Sequence, residues 1–331
     1  MAFPGLLRGH FLLGVAQRSV VNLHLLTFNY VLMIAVIISI NCGTFSTMND
    51  ARYRLLLIRG LEHSGTTILD LALGGNPQIV GLGEASRVLR EPRPGDKHNG
   101  PRLLRGPDRF SRLCTCGETA GNCSVWGDYL SWLVDNDFED MSCKLARLLD
   151  RCGSRDSSIW CIDSYQDDLS LLSLPREKFD VRIIHLVRDI RSWLPGRIKA
   201  ARRKGLPFSR IRGAARWIHV NNKFSRVFNA SSLPVLRMGY EEFAMYPELC
   251  LRLVCNWIGV PFCDKMIFPK AYSNSHVLLG NPVKNNASRF KSIKYDASWM
   301  SGNFDVVSSS CVFLPFVAKM NKQLVYSNGL V

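Results

Sequence analysis

Apolar residues along the chain gather in short runs separated by amphipathic stretches. "RLLLI" (54–58), "IVGL" (79–82), "IWCI" (159–162), "VRIIHLV" (181–187) and "LPVLRM" (233–238) read as strands. Between them, "SGTTILDLALGG" and "LSWLVDNDFEDMSCKLARLLDRCG" read as helices, the first closing at Gly74 and Gly75 and the second at Gly153. "GAARWIHVNNKFSRVFNA" and "YEEFAMYPELCLRLVCNWIGV" read as two more. This alternation predicts an α/β fold, a parallel sheet with helices on its faces. Residues 90–109, rich in proline, glycine and charge, predict a mobile surface excursion. The chain shows no internal repeat, and one large domain over 49–331 behind an N-terminal extension (1–48) is the simplest partition.

The extension holds a different pattern. Residues 20–42 include an uninterrupted apolar run from Tyr30 to Ile40, carry no formal charge and are about long enough to cross a bilayer. Asn22, His24, Asn29 and Asn41 dilute the stretch, and arginines stand on both sides of it, Arg8 and Arg18 before and Arg52, Arg54 and Arg59 after, so loop charge sets no orientation. The expectation is a membrane protein with a single-pass N-terminal anchor. The alternative is a cytoplasmic protein translated from Met48.

Composition narrows the picture little. With 331 residues and 47% hydrophobic content the chain can bury a sizeable core, which excludes a disordered chain. Lysine and arginine outnumber the acids 42 to 27, a formal charge of +15 that favours an anionic partner. The basic residues are spread out rather than gathered in one stripe, and nucleic acid is not among the expected partners. Eleven cysteines argue against a small stapled scaffold. Cys114, Cys116 and Cys123 form the densest group, but a closed zinc site needs a fourth ligand, and His98 and Cys143 are far off in sequence. Structural thiols or a local disulfide are therefore expected there, and no metal.

The candidate chemistry begins where the first strand meets the first helix. "GLEHSGTT" fits the phosphate-loop pattern G-x-x-x-x-G-K-[ST] except that Thr66 replaces the lysine. Amides from Ser64 to Thr67 at the helix start can still face an anion, helped by the helix dipole. The cation that would neutralise a β/γ-phosphate pair is missing, and no obvious magnesium-binding carboxylate follows, which disfavours a kinase. A sulfuryl donor built on an adenosine phosphate needs neither. A second feature, "FDVRIIHLVRDIRSW", is a strand ending in Arg188; ligands of open α/β sheets sit at such strand ends, where a guanidinium fork suits a second phosphate.

Strand, "HSGTT", helix, then strand, "VRD", helix resembles the sulfotransferases that use 3′-phosphoadenosine 5′-phosphosulfate. "YEEFAMYPELCLRLVCNWIGVPF", "GLGEASRVL", "RLCTCG", "WCIDS" and "HVLLGNPV" extend the resemblance over most of residues 53–300, closest to the bacterial, particularly cyanobacterial, branch. The resemblance implies a three-layer, phosphate-loop-like nucleotide-binding fold and a sulfotransferase catalytic domain over 49–331. The acceptor, a hydroxyl or amine of a glycan, lipid, small molecule or protein, stays open.

By resemblance, Arg59, Ser64, Gly65, Thr66 and Thr67 would hold the 5′-phosphosulfate and Arg188 the 3′-phosphate. Family members usually place a serine eight residues after that arginine; here it is Gly196, and Ser192 is the substitute or merely a helix cap. His63 would donate to the sulfonate or pack against the loop. Glu84 would be the base that takes the acceptor's proton, unless it pairs with Arg87 or Arg59, and Asp163 the runner-up base or an orienting group. Gly280, Asn281 and Lys284 resemble a late loop over the nucleotide. Gln166 stands where relatives often carry lysine. The rival readings are a phosphate-loop kinase and a membrane-tethered binding protein with a decayed site.

Overall fold

The computed structural model describes residues 52–94, 96, 100–155, 158–166, 168–281, 284, 291–300 and 306–330. Five strands, β1 (Tyr53–Arg59), β2 (Ile79–Gly81), β3 (Trp160–Asp163), β4 (Phe179–Val187) and β5 (Val235–Gly239), pair in the order β2-β3-β1-β4-β5. Every pairing is parallel. The near-continuous apolar run of β1 suits its central place, because both faces of a parallel sheet are covered by helices. Leu55 and Leu57 face one core with Cys161, Val181 and Ile183, while Leu56 and Ile58 face the other with Ile162, Ile184 and Leu186.

The principal helices are α1 (Thr66–Leu73), α2 (Ala85–Leu89), α3 (Gly127–Asp135), α4 (Met141–Arg151), α5 (Ile190–Arg203), α6 (Arg210–Ala230), α7 (Tyr240–Met245) and α8 (Pro247–Ile258). Helices α2, α3, α4 and α6 bury Leu89, Leu130, Leu148 and Phe228 in the first core. Helices α1, α7 and α8 bury Leu69, Phe243 and Leu251 in the second. A third cluster joins Trp193 of α5 and Trp217 of α6 to Val317, Leu324 and Val325 near the C-terminus. Each such fully buried side chain contributes about 1.5–3 kcal/mol of transfer free energy. The expected three-layer α/β architecture is present.

Two expected helices are each broken in two. The stretch predicted to end at Gly153 stops at Asp135 and restarts at Met141, because Asp140 caps α4 by accepting from the Cys143 N–H at 2.9 Å. The late helix breaks at Tyr246, and Pro247, whose missing N–H costs nothing in the first turn, starts α8. The excursion over 90–109 is partly built into the fold. Two 3₁₀ turns, Leu103–Arg105 and Pro107–Phe110, bury Leu104, and Arg105 grips both Asp137 oxygens at 3.0 and 2.7 Å. The expectation of a membrane location is corrected: among the described residues no helix is long and apolar enough to cross a membrane, and the stretch 20–42 lies outside them.

One core position makes stability depend on pH. His185 of β4 is fully buried, edge-on to Phe224 and Phe228 at 6.1 and 5.1 Å, and neither ring nitrogen has a partner among the described residues. Burial, with the charge of Arg237, pushes its pKa down to about 3. The unfolded chain then takes up this proton first as pH falls below about 6.5, so stability drains away from there towards pH 3. His185→Leu, close in volume and without the orphaned nitrogens, is expected to shrink the fall in Tm between pH 7.5 and 5 in buffered melting experiments (about 1.4 kcal/mol per pH unit for this group). An unchanged fall would show that His185 is not the source.

Candidate functional site

The loop after β1 is shaped by close approaches. A Cβ at Gly60 would lie 2.1 Å from the Leu186 carbonyl oxygen, and one at Gly65 would lie 2.5 Å from the Tyr240 ring. His63 and Gly65 take left-handed backbone (φ 66° and 99°), and the Ser64 N–H closes the turn on Leu61 O at 3.1 Å. Gly65 then caps α1 without a side-chain hydrogen bond. The first amides of α1, at Thr66 and Thr67, have no intrahelical acceptor and stand at the positive end of the helix dipole. This is the geometry of an anion cradle.

Arg188 stands beside it because β4 neighbours β1 in the sheet. Its Nη1 donates to His63 O at 3.4 Å, its Nε to Ser192 Oγ at 2.8 Å, and its guanidinium carbon lies 4.5 Å from the centre of the Tyr240 ring. Ser192 Oγ donates in turn to Glu241 Oε1 at 2.7 Å, while Glu241 Oε2 accepts the Asp189 N–H at 3.0 Å. Burial raises the Glu241 pKa against these hydrogen bonds. Two indoles fix the backbone, Trp193 donating to Glu62 O at 2.7 Å and Trp217 to Arg188 O at 2.8 Å. Asp189, not Ser192, caps the start of α5, and the Ser192 hydroxyl is left to link Arg188 to Glu241. Gly196, at the position where the serine was sought, opens onto free space: among the described residues no atom beyond its own helix lies within 4 Å of a Cβ built there.

The loop's other side chains are set by charge. Glu62 meets Arg216 at 3.0 Å and Arg197 at 3.4 Å. Its carboxyl is held below the usual range although burial opposes this, because the two guanidiniums outweigh it. Partial desolvation and the cations Arg197, Lys204 and Arg188 push the His63 imidazole below its ordinary value, while Glu62 opposes them.

Across β1, at the ends of β2 and β3, the expected ligands are used differently. Arg59 does not reach the cradle. It is fully buried and donates to Asp168 O at 2.6 Å, Asp163 O at 2.8 Å and Asp163 Oδ2 at 2.6 Å. Asp163 is fully buried too, accepting from the Ser86 N–H at 2.7 Å and from Ser86 Oγ at 3.0 Å. Burial raises its pKa while Arg59 lowers it. Glu84 caps α2 by position only. Its side chain pairs with Arg87 at 2.6 Å, as one of the alternatives foresaw, and its N–H reaches Leu279 O at 3.3 Å. That contact sets the late loop beside Glu84. Gly280 is left-handed (φ 144°), Asn281 is exposed, and Lys284 is buried with its ammonium on Val277 O. Burial and Arg112 push the Lys284 pKa down to about 8.

Sequence reasoning missed Asp70. From inside α1 it accepts from the Gly83 N–H at 3.1 Å, Ser164 Oγ at 2.9 Å and Ser275 Oγ at 3.2 Å, tying together three segments around the site. Burial pushes it up to about 7. The signal was an acid inside the apolar stretch "ILDLAL". A separate cavity of about 520 Å³, lined by Leu89, Arg90, Met141 and Lys144 among others, shares no residue with the loop.

No family model matches the chain, and no curated protein does. Solved structures do match. A sulfotransferase domain from the Synechococcus PCC 7002 olefin synthase is 18% identical, covering 78% of this chain and 92% of its own (TM-score 0.49). A sulfotransferase domain from the curacin biosynthetic pathway is 14% identical, covering 79% and 96% (TM-score 0.42). Retinol dehydratase, in a complex with retinol and PAP, is 10% identical over 82% of each chain (TM-score 0.38). Similarity this low leaves the chemistry to be reasoned from the side chains themselves.

The Arg59–Asp163 pair yields a test of role. Asp163→Ala leaves a buried guanidinium without its counter-charge, at a cost of about 3–5 kcal/mol, and is expected to lower Tm by on the order of 10 °C. A wild-type melting curve with turnover lost would instead place Asp163 in the chemistry.

Proposed function

We propose that the protein moves a sulfuryl group from 3′-phosphoadenosine 5′-phosphosulfate to a hydroxyl or amine of an acceptor. The supporting observation is the juxtaposition of two anion-binding elements at neighbouring strand ends. The amide cradle at Thr66 and Thr67, with the Ser64 amide turned inwards to Leu61 O, carries no lysine, and the Arg188 guanidinium touches the backbone of the same loop at His63 O. The cradle suits the 5′-phosphate, whose bridging oxygen gains charge as its bond to sulfur breaks; fixed amides stabilise such charge without reorganising. Arg188 suits the 3′-phosphate as a charged hydrogen-bond donor. Ser192 already spends its proton on Glu241, so in this reading it positions Arg188 rather than binding phosphate.

The acceptor's oxygen or nitrogen forms the new bond to sulfur, its proton passes to a carboxylate, and the electron pair of the broken S–O bond leaves on the 5′-phosphate. Glu84, the less buried of the two candidate carboxylates, is the proposed base once Arg87 yields to the acceptor. Asp163, both of whose oxygens are engaged, is assigned to holding Arg59 and Ser86 in place. A kinase reading lacks its lysine. A decayed binding protein remains the rival reading, and the Glu84–Arg87 pair is the observation in its favour.

Both are separated by one set of measurements. Adenosine 3′,5′-bisphosphate at a hundredfold excess over Kd is expected to stabilise the wild type by about 3 kcal/mol, and Arg188→Ala to lose most of that gain. Magnesium ATP should give no comparable rise. Glu84→Gln is expected to keep the stabilisation while turnover falls by about 10²–10⁴. No stabilisation of the wild type would refute the reading; stabilisation without turnover on any acceptor in a cell extract would favour the rival.

A further inference from the structure

The cysteine group expected to be plain thiols or a disulfide has acquired a fourth member. Cys114, Cys116 and Cys123 meet His276, and the three sulfurs and one imidazole nitrogen all lie within 4.8 Å of one another. Cys123 Sγ is 3.2 Å from His276 Nδ1 and 3.8 Å from Cys114 Sγ. We propose that these four residues form a closed structural site for one zinc ion. The proposal is independent of how the phosphate loop is read.

The geometry suits the metal. With Zn–S near 2.3 Å and Zn–N near 2.0–2.1 Å, ligand atoms at the corners of a tetrahedron stand roughly 3.6–3.8 Å apart; the Cys123–Cys114 separation of 3.8 Å matches, and the four atoms, all within 4.8 Å of one another, need to move by about an ångström or less. A disulfide would need two sulfurs at about 2.05 Å, and it would strand the third thiol and the imidazole. Three sulfurs and a nitrogen leave no open position, which makes the site structural rather than catalytic. Borderline-soft ligands in this number select zinc over calcium or magnesium.

The turn that presents the first two cysteines is held by the Leu113–Thr119 bridge and by Gly117 at φ 97°. Zinc and three thiolates would carry one net negative charge, and Arg112, two residues before Cys114, donates to Leu278 O, two residues after His276, at 2.7 Å. Cys116 is exposed and offers the path of entry.

The ion would pin two segments about 150 residues apart in sequence. Trp126 Nε1 donates to His276 O at 2.6 Å, and Thr115 Oγ1 both donates to Ser275 O at 2.5 Å and accepts from the Val277 N–H at 2.8 Å. The second segment continues to Leu279, whose carbonyl receives the Glu84 N–H. Binding would thus fix the loop that backs Glu84. It involves no redox change: each thiol S–H gives its proton to the solvent as the S–Zn bond forms.

The test is elemental analysis of the full chain purified under reducing conditions without added metal. About one zinc per chain is expected, released as a mercurial reagent titrates the thiols. Cys116→Ser, the exposed ligand, should lose most of the metal, and Cys143→Ser, an exposed cysteine outside the cluster, should keep it. Chelator-stripped wild type given Co²⁺ should develop the thiolate charge-transfer absorption of a tetrahedral site. The proposal is overturned if the wild type carries no zinc and takes up neither ion, if Cys116→Ser retains a full equivalent, or if peptide mapping finds a Cys114–Cys123 disulfide.

Discussion

The parallel register of β1 against β4 governs everything at the candidate site. It pairs Tyr53 with Phe179 at one end and Arg59 with His185 at the other, so both chains leave the sheet side by side. The loop after Arg59 can lie against β4 only because Gly60 has no side chain to strike the Leu186 carbonyl. From that contact follow the hydrogen bond of Arg188 to His63 O and the packing of Gly65 on Tyr240. A side chain at either glycine would separate the amide cradle from the guanidinium. The site is a consequence of strand order before it is a consequence of any ligand.

Buried polar groups do the rest of the positioning, in two networks on either side of β1. On the β4 side Glu241 holds Ser192 and the Asp189 amide, and Ser192 holds Arg188. On the other side Arg59, Asp163 and Ser86 tie β1, β3 and α2 together, while Asp70 joins α1 to Gly83, Ser164 and Ser275. Removing these charges from water is costly, and a buried ion pair is weak evidence of net stabilisation. Its clearest effect here is geometric, since each partner holds a different segment. The segment reached by Ser275 is also the one that His276 would fasten through a metal.

Much of this architecture was legible in the residues. The strands read as apolar runs bounded by polar or turn-forming residues, and the tight turn between β1 and α1 is legible in two glycines five apart at a strand–helix junction. Helix boundaries were less legible. Nothing in "DNDFEDMSC" distinguishes an exposed helical acid from the cap that Asp140 turns out to be. The pairing of Arg59 with Asp163 is not legible for a related reason, because residue type does not say whether a guanidinium turns outwards to a ligand or inwards to a buried carboxylate. The partner of the three cysteines was hidden most deeply. His276 lies 153 positions after Cys123, and only the folding of the 274–279 segment alongside β2 brings them together.

The central claim is that the cradle and Arg188 grip one nucleotide at two phosphates. Calorimetric titration of wild type and Arg188→Ala with adenosine 3′,5′-bisphosphate and with adenosine 5′-monophosphate isolates the second grip as a thermodynamic cycle. The account predicts that removing the 3′-phosphate weakens binding to the wild type by about 10–100-fold, the worth of a charge-assisted hydrogen bond, and that this difference nearly vanishes in Arg188→Ala. Equal affinity of the wild type for the two nucleotides, or a difference that survives the substitution undiminished, would contradict it.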